Sequence, residues 1–111
     1  MRAVSGDSIY VADWGNHRIC VHALDGTFVR ALGADGDFNY PCGLVVAGGR
    51  LVVADTGNHR IKVHELDGTF VRAFGTEGSS DGTLNYPVGL AVAHGKLYVA
   101  EEYGHRISVF T

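Results

Sequence analysis

Three His-Arg pairs, His17-Arg18, His59-Arg60 and His105-Arg106, are the most reactive-looking groups in this sequence. Neutral imidazole binds metals readily and exchanges protons near neutral pH, so three rings at equivalent places could converge on a shared ion. An acid precedes each pair, Asp13, Asp55 or Glu101, and the first two copies share the string Asp-x-Gly-Asn-His-Arg through Asn16 and Asn58. Such a set, present in copy after copy, is also what a hydrogen-bonded corner requires. The planar fork of Arg18, Arg60 or Arg106 suits a carboxylate, and the corner would tie a turn together or to its neighbour. Catalysis ordinarily needs asymmetry that an exact repetition does not supply. Asp13, Asn16, His17, Arg18, Asp55, Asn58, His59, Arg60, His105 and Arg106 are therefore assigned to scaffold. No catalytic residue, metal or cofactor is assigned.

The places where the copies differ are better guides to function. Trp14, Thr56 and Glu102 occupy one equivalent position, and Tyr103 stands where the other copies have Gly15 and Gly57. These four are the candidate binding residues. Loops presented by a rigid framework commonly carry recognition, and aromatic side chains commonly anchor it. The alternative for Trp14 and Tyr103 is packing between repeats.

The elements that must position these groups follow from the repeat. Residues 11–33 return at 53–75 with changes only at Trp14/Thr56, Cys20/Lys62, Ala23/Glu65 and Leu32/Phe74, and a third copy runs from 97 to 110. Self-similarity at this period means one supersecondary unit, copied and stacked. In the second copy, Val- and Leu-rich runs at 43–47 and 51–55 flank Gly48-Gly49-Arg50 and read as strands A and B of a hairpin. Residues 60–66 alternate Ile61 and Val63 with Lys62 and His64, the period of a half-buried strand C, which puts His22 and His64 on its polar side. Asp67-Gly68 supplies a turn into strand D at 69–75. No segment carries a helical pattern, so essentially no helix is expected. The fold class is all-β, built from four-stranded antiparallel meanders. Pro41 and Pro87 fix the approach to strand A, and Tyr40 and Tyr86 before them are read as structural. Connectivity puts the B–C and D–A loops on one face, shared with the long connector from Thr76 to Leu84. His94, in an A–B hairpin, falls on the opposite face and is expected to be exposed.

VADWGNHRI, VADTGNHRI and VAEEYGHRI, with DGTFVRA after the first two and NYPxGL before the second and third, resemble the NHL repeat. That resemblance implies a β-propeller, commonly of six blades, in which these strings form strands B and C with their loop. The third copy departs from the pattern at Glu101, Tyr103 and Gly104, so its loop is expected to be shaped differently.

The expected blades cover residues 1–33, 39–75 and 85–111, the last without its outer strand, about 2.75 blades in all. Such an arc exposes sheet faces that blades normally bury. It is expected to close either by self-association, two chains forming a six-bladed ring, or within a longer propeller.

Bulk properties narrow the functions. The 111 residues are 46% hydrophobic with 16 glycines, two prolines and a net charge of −3. Without a run of Lys or Arg, nucleic acid is a disfavoured partner. Cys20 and Cys42 sit at non-equivalent repeat positions and are read as free thiols. No signal peptide or membrane span is legible, so the chain is expected to be soluble and intracellular. The glycine-rich GTEGSSDG lacks the Lys and following helix of a phosphate loop. The leading functional expectation is a non-catalytic scaffold that binds a protein or peptide through the B–C and D–A loop face. The alternatives are a propeller enzyme, lyase- or hydrolase-like with a metal or His and acidic residues in its channel, and a single-stranded RNA-binding module, both known among NHL relatives.

Overall fold

A computed structural model describes residues 2–33, 36–78 and 82–110. Among the described residues, eleven strands form three antiparallel sheets in which sequence neighbours pair directly. The first holds β1 (Arg2–Ser5), β2 (Ser8–Asp13), β3 (Arg18–Ala23) and β4 (Phe28–Leu32). The second holds β5 (Pro41–Ala47), β6 (Arg50–Asp55), β7 (Arg60–Glu65) and β8 (Phe70–Phe74). The third holds β9 (Pro87–Ala93), β10 (Lys96–Glu101) and β11 (Arg106–Phe110). These are three blades of an incomplete propeller. Their innermost strands β1, β5 and β9 lie side by side.

Local chemistry sets the connections. The β7–β8 hairpin turns at Asp67-Gly68, where Gly68 has φ of 99° and the Asp67 carboxylate accepts the Thr69 N–H at 2.9 Å. Asp25 and Thr27 repeat that bond at the same distance in the β3–β4 hairpin. Both outer pairs carry a bulge at the same place, Val21/His22 and Val63/His64. Two single 3-10 turns, Trp14–Asn16 and Thr56–Asn58, qualify the expectation of essentially no helix. Each is one turn of a loop between strands, too short to leave a periodic pattern.

Two hydrophobic cores form between blades. Ile19, Val21 and Leu32 of blade 1 pack with Phe38, Leu44, Leu51 and Val53. Ile61 and Val63 of blade 2 pack with Leu84 and Val99, and Leu90, Leu97 and Phe110 border them. Sandwiching corrects the half-buried reading of strand C: in β7 the polar side is buried as well, with Lys62 and His64 inside. A blade flanked on both sides has no solvent face, so alternation there distinguishes two neighbours rather than core from water. His64 donates from Nδ1 to the Gly68 carbonyl at 3.0 Å and lies 5.2 Å from the Phe38 ring. Burial pushes its pKa below the ordinary value. Lys62 donates to the Asp37 carbonyl at 2.8 Å and sits 4.6 Å from the centre of the Phe38 ring, and burial likewise lowers its pKa.

Candidate functional site

The corner motif makes two kinds of bond. Within blade 2, the buried Asp55 carboxylate accepts Arg60 Nε at 2.7 Å, Asn58 Nδ2 at 2.9 Å and the Asn39 N–H at 2.7 Å. The β6–β7 loop thereby holds the segment that leads into β5. In blade 1, Asp13 accepts Arg18 Nε at 2.9 Å and Asn16 Nδ2 at 3.1 Å. The Arg18 hydrogen bond, helped by Asn16, holds the Asp13 carboxyl below its ordinary pKa.

Between blades the histidines act. The Tyr40 N–H donates to His17 Nδ1 at 2.9 Å, and the Tyr86 N–H donates to His59 Nδ1 at 3.1 Å. Accepting there fixes the neutral tautomer of His59 with its proton on Nε2, which lies 3.8 Å from Glu77 Oε2. The histidines take left-handed backbone conformations, with φ of 54° at His17, 53° at His59 and 50° at His105. Tyr40 and Tyr86 do the same at 50° and 53°. His105 is exposed at the far end of the arc.

Blade 3 reaches a related corner with different residues. Glu101 accepts Arg106 Nε at 2.8 Å and the Asn85 N–H at 2.9 Å, as Asp55 does from Arg60 and Asn39. Its extra methylene fills the room used by Asn58 in blade 2: a Cβ on Gly104 would fall 2.9 Å from Glu101 Oε1. The Glu101 and Gly104 departures thus compensate one another. Gly57 N–H donates to the Asn39 carbonyl, whereas in blade 3 the bond is shifted by one residue, from Glu102 N–H to the Tyr86 carbonyl. A Cβ on Gly57 would lie 2.8 Å from the Asn39 carbonyl oxygen, and the shift leaves space for Tyr103 at the matching place. Burial opposes ionisation of Glu101, but bonds from Ser108, Arg106 and Asn85 outweigh it and hold its pKa below the ordinary value.

The four sequence-predicted binding residues meet around one cavity of about 280 Å³ on the face of the β2–β3, β6–β7 and β10–β11 loops. Trp14 and Tyr103 wall it from blades 1 and 3, and Thr56 with Gly57 lies between them; Glu102 also lines it. Trp14 is 56% exposed and Tyr103 58%, so much of each ring stays open to solvent. Thr56 is buried, and its hydroxyl donates to the Pro87 carbonyl at 2.6 Å, leaving mainly its surface to the cavity.

Tyr40, Tyr86 and Cys42 also line the cavity. Trp14 packs on Tyr40 at 4.6 Å between ring centres, and Tyr103 meets Tyr86 edge-on at 4.8 Å. Tyr40 and Tyr86, which the sequence marks as structural, thus also face this cavity. The aromatic residue before proline in NYP was the available signal. Both cysteines are free. His94 is exposed in the β9–β10 hairpin. In the connector, residues 79–81 lie outside the described residues, as does the centre of GTEGSSDG; Leu84 N–H donates to the Thr76 carbonyl at 2.8 Å. Among the described residues, no three or more His, Cys, Asp and Glu side chains stand close enough to hold a metal ion, and no helix is long and apolar enough to cross a membrane.

The family profile of the NHL repeat matches residues 2–21, 38–63 and 84–110, most of the chain. The chain belongs to the NHL-repeat family. Its three NHL repeats superpose on solved structures of low sequence identity. BamB from Moraxella catarrhalis is similar at a TM-score of 0.71 and 13% identity, covering 97% of this chain and 30% of that one. The glutaminyl cyclase of Myxococcus xanthus is similar at 0.68 and 22%, covering 90% of this chain and 42% of that one. The WD40 repeats of RRP9 are similar at 0.62 and 16%, covering 98% and 35%. This chain thus spans less than half the length of each, and at these identities the likeness shows the fold. No curated protein sequence matches it.

Proposed function

We propose that this NHL segment is a non-catalytic interaction module that takes a protein or peptide partner on the face of its β2–β3, β6–β7 and β10–β11 loops. The observation that carries the reading is the meeting of Trp14, Thr56, Glu102 and Tyr103, the positions at which the repeats differ, around one cavity. The Asp, Glu and Arg side chains of the corners bond to one another, and of the variable groups Trp14, Glu102 and Tyr103 are exposed while Thr56 is buried. Half-exposed aromatic rings in a concavity are the usual anchors of recognition. The test is a peptide library screened against the purified chain, with Trp14→Ala and Tyr103→Ala assayed for capture and for thermal midpoint separately. Loss of capture at an unchanged midpoint supports the reading. Unchanged capture, or loss that only follows unfolding, refutes it.

A second partner belongs to the same proposal. Ile107 and Val109 of β11 are exposed at the positions where Ile61 and Val63 of β7 are buried, and Val4, Leu24 and Val29 are exposed on blade 1. We propose that further blades cover these faces, supplied by a second copy in a head-to-tail ring or by a longer propeller chain.

A further inference from the structure

We infer that the loop-face cavity recognises an alkylated ammonium group, such as the head of a methylated lysine in the partner. This deepens the peptide-binding reading and rests on it. Four aromatic residues surround the site as two pairs: Trp14 with Tyr40, and Tyr86 with Tyr103. Trp14 comes from blade 1, Tyr40 from the approach to β5 in blade 2, and Tyr86 and Tyr103 from blade 3, with the small Thr56 and Gly57 of blade 2 also lining the cavity.

Charge decides what such a ring of rings would take. Glu102 is the only carboxylate among the described residues lining the cavity, and none of the lining residues is Lys or Arg. The nearby cationic side chains are engaged elsewhere: Arg18 on Asp13, Arg60 on Asp55 and Arg106 on Glu101. Glu102 is exposed and so free to face a ligand from the rim. Aromatic faces carry negative quadrupole potential, and one carboxylate adds to it, so the site favours a cation over a neutral or anionic group.

The balance of aromatic to carboxylate groups selects the kind of cation. A bare ammonium is compact and strongly hydrated and would demand more oxygen ligands than one rim carboxylate supplies. Methylation spreads the charge, removes donors that would otherwise need acceptors, and presents carbon to the rings. Tyr86 and Tyr103 stand at an interplanar angle of 84°, a corner rather than a flat platform, which suits a rounded head group better than a planar guanidinium or base. At about 280 Å³ the cavity falls just below the roughly 300 to 1,000 Å³ of drug-sized sites, a match for one side-chain head and not for a large cofactor.

The protein carries its own reporter, because Trp14 is its single tryptophan. Its emission is followed while the chain is titrated with acetyl-Gly-Gly-Lys-Gly-Gly-amide bearing trimethylated lysine, and with the analogue in which carbon replaces the quaternary nitrogen. The charged peptide should bind about tenfold or more tightly than its neutral isostere. Glu102→Gln should reduce that preference, and Tyr103→Leu should abolish binding at an unchanged unfolding midpoint, with Tyr103→Phe restoring it. Equal binding of the isostere, or no response to either peptide, overturns the inference. So does a stronger response to free phosphocholine, which would make a lipid head group the source. Library peptides that engage this face without any preference for cations would sink this inference alone. A library that never engages the face would sink the peptide-binding reading as well.

Discussion

Replacing isoleucine by alanine at two equivalent positions, Ile61 in β7 and Ile107 in β11, reports directly on which sheet faces are covered. Ile61 is 0% exposed and sits in the core between blades 2 and 3, whereas Ile107 is 60% exposed. Burying such a side chain completely is worth about 2.5 kcal/mol, and a buried Ile→Ala change costs roughly 2 to 5 kcal/mol once the residual cavity is included. At Ile107 only about two fifths of the side chain has left water, so the same change should cost ~1 kcal/mol or less in an isolated arc. The assay is urea unfolding followed by Trp14 fluorescence, with each variant measured across a dilution series and its mass followed by light scattering. In a closed ring the Ile107→Ala cost should rise towards the Ile61 value at concentrations where the chain associates, and fall on dilution. An Ile107→Ala cost that matches Ile61→Ala in a proven monomer would refute the exposure on which the arc rests. A small, concentration-independent cost would refute closure by a second copy through this face.

Three further outcomes follow from the geometry. Gly43→Ala should destabilise the chain by at least about 2 kcal/mol, because its new Cβ would run into the Val88 carbonyl where β5 meets β9; Gly89→Ala meets only the Ala100 side chain at 3.5 Å and should change the urea midpoint little. His59→Ala should cost roughly 1 to 3 kcal/mol by leaving the Tyr86 N–H without its acceptor, whereas His105→Ala, exposed, should stay within about 0.5 kcal/mol, and equal costs would contradict the role of the histidines between blades. Stability should fall with acidity in two stages: as pH drops below 6.5 the unfolded chain takes up a proton that buried His64 resists, and as it drops below 4.5 the unfolded chain again binds the proton more readily than Glu101 does, whose contribution disappears as pH passes its lowered folded value. A urea midpoint that is unchanged from pH 7 to pH 5 would contradict the neutral, buried His64.

Much of the fold could be read from residue order because the repeat presents each signal more than once. Val- and Leu-rich runs, Asp67-Gly68 and the glycine hairpins mark the same elements in successive copies, and their boundaries shift by only a residue or two. Lys62 and His64 were harder to place, since alternation along β7 does not reveal that a neighbouring blade covers the polar side. Cys20 at the place of Lys62 offered a hint: in blade 1 that position is also buried, and its thiol lies 3.7 Å from Asp13 Oδ2.

The candidate site was half legible. Trp14, Thr56, Glu102 and Tyr103 stand out as mismatches between near-identical copies, and comparison of copies is what finds them. Tyr40 and Tyr86 are invisible to that comparison because they match. They enter the cavity through left-handed backbone conformations ahead of Pro41 and Pro87, a geometry that residue type alone does not announce. The one-residue hydrogen-bond shift at Glu102 and the fit of Glu101 against Gly104 are likewise three-dimensional features that spacing cannot show.

The central claim, that the variable loop positions form a binding face, is tested most directly by amide shift mapping of the isotope-labelled chain with the tightest peptide from the library screen. Perturbations confined to Trp14, Tyr40, Cys42, Thr56, Gly57, Tyr86, Glu102 and Tyr103 are the predicted result. A map centred on the opposite hairpins at Gly48-Gly49 and His94-Gly95, or spread along β1, β5 and β9, would contradict it.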